Sequence, residues 1–151
     1  MISQPRFAMT IGSVVSRWWR RLFPEVSLGR RGETAAARFL RRRGFKIIAR
    51  SNHLHPGELD LVAVDTDRTI VFVEVKTRKS QDTGHPAEAV DDEKQLRLSR
   101  LAVTYLKRHG LLEYPARFDV VAITWPEGPH RPQIEHFKNA FDAVGQNDLY
   151  S

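Results

Sequence analysis

Residues 70–77 read Ile-Val-Phe-Val-Glu-Val-Lys-Thr, and this run admits few architectures. Side chains along a strand alternate between two faces. Val71, Val73 and Val75 line one face here, while Ile70 and Phe72 line the other up to Glu74 and Lys76. A strand that is apolar on both faces is covered on both, as in the middle of a sheet with a layer on each side. A carboxylate in such a strand is costly to bury unless something compensates it. The preceding segment, Gly57-Glu58-Leu59-Asp60-Leu61-Val62-Ala63, has the same character, with Glu58 and Asp60 sharing one face if the whole segment is a strand. Turn-rich Val64–Thr69 joins the two, which predicts an antiparallel hairpin carrying two carboxylates and an ammonium on one sheet face.

Two readings of that cluster compete. One is a cross-strand ladder of charges on a solvated face. The apolar residues around Glu74 argue against it, because an exposed ladder is polar throughout. The other is a bound cation. Carboxylate oxygens without any cysteine match Mg²⁺ or Mn²⁺ rather than zinc. His53 and His55, in the polar connection before the hairpin, are not needed for such an ion. A divalent ion so held polarises a phosphodiester and acidifies a bound water. A lysine two residues past the glutamate orients that water and offsets developing charge.

At 151 residues and 17.4 kDa the chain is long enough for one domain with a short extension and a core of its own. The lack of cysteine excludes a disulfide framework, a zinc-thiolate site and a thiol nucleophile, and fits a reducing cytoplasm. No apolar run is long enough to cross a bilayer, so no stable membrane insertion is expected. Charge is unevenly spread. Residues 1–50 hold twelve Lys/Arg against Glu25 and Glu33, a net +10 in a chain whose total is +6. A basic amino-terminal third on a mildly acidic body points to a polyanionic partner, nucleic acid or an anionic membrane surface. A solvated arginine-rich helix face has the same composition.

Residues 1–27 carry Ile11, Val14, Val15, Trp18, Trp19, Leu22 and Phe23 at helical spacing among arginines, a basic amphipathic extension. It is a helix packed on the domain, a membrane- or partner-binding helix, or a tail. From Gly32 to Arg43 the spacing predicts a helix with Ala36, Ala37 and Leu40 inward, Arg31, Arg38 and Arg42 outward, and Gly44 as terminator. Glu33 falls with the inward set near the amino terminus. It is either a first-turn charge favoured by the helix dipole or a carboxylate aimed at the hairpin cluster. A strand is predicted over 45–50. A second helix is predicted from an Asp91 N-cap to Gly110, with Leu98, Leu101, Ala102, Tyr105 and Leu106 buried and Lys94 at the sheet rim. Residues 117–123 and 133–137 read as a strand and an edge strand around the Pro-rich turn Trp125–Pro132. Helix, three strands, helix, two strands describes an α/β domain with a central mixed sheet.

Several of these segments, in order, resemble the YraN family. They are Leu28-Gly29-Arg30-Arg31-Gly32-Glu33, Gly57-Glu58-Leu59-Asp60-Leu61-Val62, Phe72-Val73-Glu74-Val75-Lys76-Thr77-Arg78, Arg117-Phe118-Asp119-Val120-Val121, and Ile134–Phe141. The resemblance spans about Leu28 to Phe141. It implies a restriction-endonuclease-like three-layer α/β core of the PD-(D/E)xK superfamily, similar to archaeal Holliday-junction resolvases. By that resemblance Asp60, Glu74 and Glu33 are the metal-binding acids and Lys76 the catalytic lysine, with Glu58 in a supporting role. Lys94 and Gln95 would meet phosphate, with Arg78 and Arg31 as further nucleic-acid contacts. The segment before the Gly-Glu motif, usually basic and aromatic in the family, reads His53-Leu54-His55-Pro56 here.

The expectation is thus an extension over 1–27, an endonuclease-like domain over 28–143 and a tail over 144–151. The domain is expected to be a cytoplasmic Mg²⁺- or Mn²⁺-dependent nuclease acting on DNA, branched or structured, as a homodimer on a symmetric junction. The alternative is a nucleic-acid-binding accessory protein that retains the fold without turnover.

Overall fold

The structure, a computed structural model, describes residues 27–51, 58–80 and 90–145. The amphipathic stretch expected before Ser27 and the His53–Pro56 connection lie outside the described residues.

Helix α1 spans Leu28–Arg42 and starts four residues earlier than the spacing predicts. The reason is Ser27, whose hydroxyl accepts from the Arg30 amide at 3.3 Å while its carbonyl accepts from the Arg31 amide at 3.0 Å. Glu33 is therefore beyond the first turn, where the helix dipole has little hold, and the reading of it as a first-turn charge is dropped. Its neighbours on the buried stripe are Gly32, Ala36, Ala37 and Leu40. The helix ends at Gly44, whose φ of +91° suits glycine.

Five strands follow the order β1 (Lys46–Arg50), β2 (Leu61–Val64), β3 (Ile70–Lys79), β4 (Ala116–Trp125) and β5 (Gln133–Phe141), adjacent in one sheet in that order. Only β3 and β4 run parallel, and helix α2 (Asp92–Arg108) makes the crossover between them. The β2–β3 hairpin pairs Leu61 with Val73 and Val64 with Ile70, as predicted. Asp91 caps α2, accepting from the Lys94 amide at 2.8 Å, and Gly110 follows its end at φ +64°.

β3 is covered on both faces, as its sequence requires. Val71 and Val73 join Ala36, Ala37 and Leu40 of α1 in one core, and Ile70 and Phe72 join Leu98, Ala102 and Leu106 of α2 in the other. The molecule is a three-layer α/β fold with a five-stranded mixed sheet between helices. Among the described residues no helix is long and apolar enough to cross a membrane.

α1 lies close against β3 at Gly32. A Cβ there would lie 1.9 Å from the Thr77 hydroxyl oxygen and 3.0 Å from the Thr77 Cβ. Alanine gains up to ~1 kcal/mol in helix propensity, but the clash forces the helix off the sheet at a cost of roughly 1–3 kcal/mol. Gly32→Ala is expected to lower the denaturation midpoint, with partial recovery when Thr77→Ala is added. A variant as stable as the parent would refute this close packing.

Candidate functional site

β2 begins only at Leu61, so Glu58 and Asp60 precede the strand and do not share one of its faces. The departure has a local cause. Continuing the hairpin past the Leu61–Val73 pair would set residue 59 against Val75. Instead the Asp60 carboxylate takes the Val75 amide at 2.8 Å, and the Asp60 carbonyl accepts from the Ser51 amide at 2.9 Å. A side chain replaces a rung of the ladder and sits at the point where β2 stops and β3 runs on. Glu58 turns aside, its carboxylate accepting from the Ser51 hydroxyl at 2.9 Å.

Glu74 lies on the α2-facing side of β3 with Ile70 and Phe72, and is only 7% exposed. Lys94, from the first turn of α2, donates to Glu74 Oε1. Lys76 Nζ stands 3.4 Å from the same oxygen. Burial pushes the Asp60 carboxyl up to about 7, with the negative charges of Glu74 and Glu33 adding to the rise and the Val75 amide and Lys94 opposing it. Burial also pushes the Lys76 ammonium down, together with Lys94, against the pull of Glu74. For Lys94 burial works the same way but is outweighed by Glu74, so its pKa rises. The structure therefore brings Asp60, Glu74, Lys76 and Lys94 together, with Glu33, itself buried, close enough to be felt by Asp60.

The other expected contacts lie elsewhere. Gln95 donates its amide to the Val90 carbonyl at 3.0 Å, tying down the lead into α2. Arg78, further along β3, donates to the Thr124 hydroxyl at 2.9 Å. Arg31 stacks over the Trp125 ring, 4.4 Å from its centroid.

The donor set of Asp60, Glu74 and Glu33 is all oxygen, which suits Mg²⁺ or Mn²⁺. Half-buried Asp60 is raised in part by the charges of Glu74 and Glu33, so added positive charge there would be favourable. In chemistry the residues fit an ion. In spacing they are not drawn into a closed cage, since among the described residues no group of three or more His, Asp or Glu is gathered closely enough to hold one. Lys94 supplies the nearest positive charge to Glu74.

A second polar cluster, given no role from the sequence alone, is built on Arg117-x-Asp119, a charged pair in an apolar strand of the same form as Glu74-x-Lys76. Asp119 is fully buried. Arg117 reaches its two oxygens at 2.9 and 3.2 Å, His136 Nε2 lies 2.8 Å away, and the Asn139 amide donates at 2.9 Å. That last donor exists because β5 slips register opposite Phe118–Val120, where Asn139 takes φ +51° and turns its N–H inward. Arg117 also bridges to Asp65 at 2.8 Å. Burial would raise the Asp119 carboxyl, but His136, Arg117 and Asn139 outweigh it and hold the carboxyl below its ordinary value. The two clusters differ in balance: Asp119 is matched by its partners, whereas Asp60 is not.

The profile of the Uncharacterised protein family UPF0102 matches residues 32–123, which takes in Glu33, Asp60, Glu74, Lys76 and Lys94. UPF0102 protein RB9115 of Rhodopirellula baltica is 47% identical over 148 residues, 93% of this chain and 89% of its own. UPF0102 protein GSU0650 of Geobacter sulfurreducens is 48% identical over 115 residues, 76% of this chain and 88% of its own. A profile spanning most of the three-layer fold, and relatives so similar over most of their own length, agree with the segments quoted above: the chain belongs to the UPF0102 family, of which YraN is another name.

Proposed function

We propose that the protein is a Mg²⁺- or Mn²⁺-dependent nuclease that hydrolyses phosphodiester bonds in DNA, branched or structured. The observation that carries this is the charge imbalance at Asp60. Asp119 is matched by its partners, while half-buried Asp60, bonded to the Val75 amide next to Glu74 with its two lysines, is raised to about 7, and shifts of that kind cluster at functional sites. In this reading Asp60 and Glu74, with Glu33, hold the ion. The ion, when bound, supplies a polarised phosphate and an acidified water. Asp60 is aimed by its bond to the Val75 amide, so the carboxylate does not need ordering on binding. Lys76 orients the attacking water, and its depressed pKa eases proton exchange. Lys94 guards Glu74 and turns to the phosphate as substrate enters.

The test is a metal-titrated cleavage screen over linear, nicked and junction DNA, with Lys76→Ala alongside. Cleavage that needs Mg²⁺ or Mn²⁺ and falls about a hundredfold or more in Lys76→Ala is expected. Absence of metal-dependent cleavage on every substrate would sink the nuclease reading.

One observation favours a second reading, a DNA-binding protein without turnover: Lys94 already supplies Glu74 with a cation. It predicts binding with a steep salt dependence, since arginine contacts to phosphate release counterions, and no products under any metal.

A further inference from the structure

A cleft of about 640 Å³ opens at the end of β3 and β4, bounded by the first turn of α1 and the loop between β4 and β5. Its walls carry Arg31, Lys79, Trp125 and His130, with Pro126 and Pro129 shaping the loop and Glu127 as the one carboxylate among the described residues. The Arg31 guanidinium lies over the Trp125 ring, 4.4 Å from the centroid. As a packing residue tryptophan is a poor choice here, because its indole N–H is buried without a hydrogen-bond partner among the described residues. A phenylalanine would fill much of the same space with no donor left unmet. What the indole does supply is the largest π-surface on which to hold a guanidinium flat.

We propose that this cleft holds an unpaired nucleotide of single-stranded DNA, its base stacked on the Arg31 guanidinium, which Trp125 backs, and its phosphate met by Lys79. A nucleobase is planar and stacks on aromatic rings and on arginine planes alike, whatever its identity. A base inside a duplex has both faces already stacked, so the platform selects unpaired strands. The cleft is large enough for one nucleoside and far too small for a double helix. Lys79 closes the β3 run that contains Glu74 and Lys76, roughly 10 Å beyond Lys76 at ~3.3 Å per residue. Three residues on, it falls on the α1-facing side with Trp125, whereas Glu74 and Lys76 are on the α2-facing side. A single strand with a phosphate at Lys76 enters the cleft by passing round the end of β3 to the other face, a path open to a flexible strand and closed to a stiff duplex. The substrate class follows: DNA with single-stranded character beside the cut, such as a flap, a gap or an opened branch point. The proposal rests on the nucleic-acid reading above but not on turnover.

The experiment uses the full chain without divalent metal and reads the fluorescence anisotropy of a short labelled oligothymidylate, with a blunt duplex as comparison. Trp125→Ala is expected to weaken single-strand binding by about tenfold or more and leave duplex binding within about twofold. Trp125→Phe keeps a ring and retains most of the affinity, which also guards against misfolding of the alanine variant. Arg31→Lys is the decisive substitution. A lysine keeps the charge but has no plane to stack, so it should bind as weakly as Arg31→Ala. Full affinity in Arg31→Lys would mean that the cleft meets charge only, and equal losses on both DNAs in Trp125→Ala would mean the same; either overturns the proposal. Because no cleavage is read, a protein that never cuts DNA but shows this pattern refutes the nuclease and keeps the cleft.

Discussion

Asp60→Asn is expected to do two opposed things: abolish metal-dependent cleavage and raise the stability of the metal-free protein. Asparagine keeps an oxygen for the Val75 amide, so the β2–β3 junction is preserved. It removes the negative charge on which an ion depends. Losing a residue that merely supports a metal ligand costs 10- to 100-fold, so losing a ligand should cost about a hundredfold at least. Stability moves the other way because the carboxyl is held up at about 7, from the ordinary 3.8, by burial and by Glu74 and Glu33. Between those values the folded state carries the proton and the unfolded state does not. The stabilisation from this group is full below about pH 4 and is lost as pH rises through about 7. At pH 8 the parent holds a disfavoured carboxylate that the variant lacks. Allowing for the water Asp60 still meets, the gain is roughly 1–2 kcal/mol, or about 2–8 °C in Tm. Mg²⁺ should raise the Tm of the parent at pH 8 and leave the variant unmoved. Thermal melts from pH 4 to 8, with and without Mg²⁺, check this. A variant that melts below its parent at pH 8, or cleaves at the parental rate, contradicts the role given to Asp60.

Asp119→Ala should have the opposite profile, a large loss of stability with no specific loss of chemistry. The carboxylate is the common partner of Arg117, His136 and the Asn139 amide, and it is completely buried. Removing it leaves a half-buried guanidinium with Asp65 and takes from the inward-facing Asn139 amide its acceptor. Breaking a buried pair by deleting one partner costs about 3–5 kcal/mol, which lowers Tm by roughly 10 °C. Replacing both ends together, as in Arg117→Met with Asp119→Leu, should be milder, because no stranded charge remains. The acid behaviour follows from the lowered pKa. Asp119 contributes its full stabilisation above about pH 4, and this is lost as pH falls through its folded value. Urea melts at pH 7 and pH 3 would show the parent converging on the variant in acid. An Asp119→Ala protein as stable as the parent would mean that the network holds nothing together.

The contrast between these two aspartates marks what the sequence by itself determined and what only the tertiary structure decided. Element order, the covered β3, the antiparallel hairpin, the Asp91 cap and the Gly44 stop were all legible, because each rests on local rules: alternation, capping and turn chemistry within a few residues. The carboxylates of Asp60 and Glu74 were legible for a related reason, since a charge in a doubly apolar strand contradicts its own surroundings. By that same signal Asp119 looks like a site, yet its charge is matched by Arg117, His136 and the Asn139 amide. What separates them is who stands opposite, and those partners are 15 to 20 residues away at Asp60 and Glu74, and up to 20 at Asp119. Nor could periodicity tell that β2 begins at Leu61, because Asp60 leaves the strand in order to bond an amide that only the folded hairpin presents. Trp125 read as part of a turn until α1 laid Arg31 across it. Charge balance and surface shape are sums over segments distant in the chain, so they exist only once the layers have closed around β3.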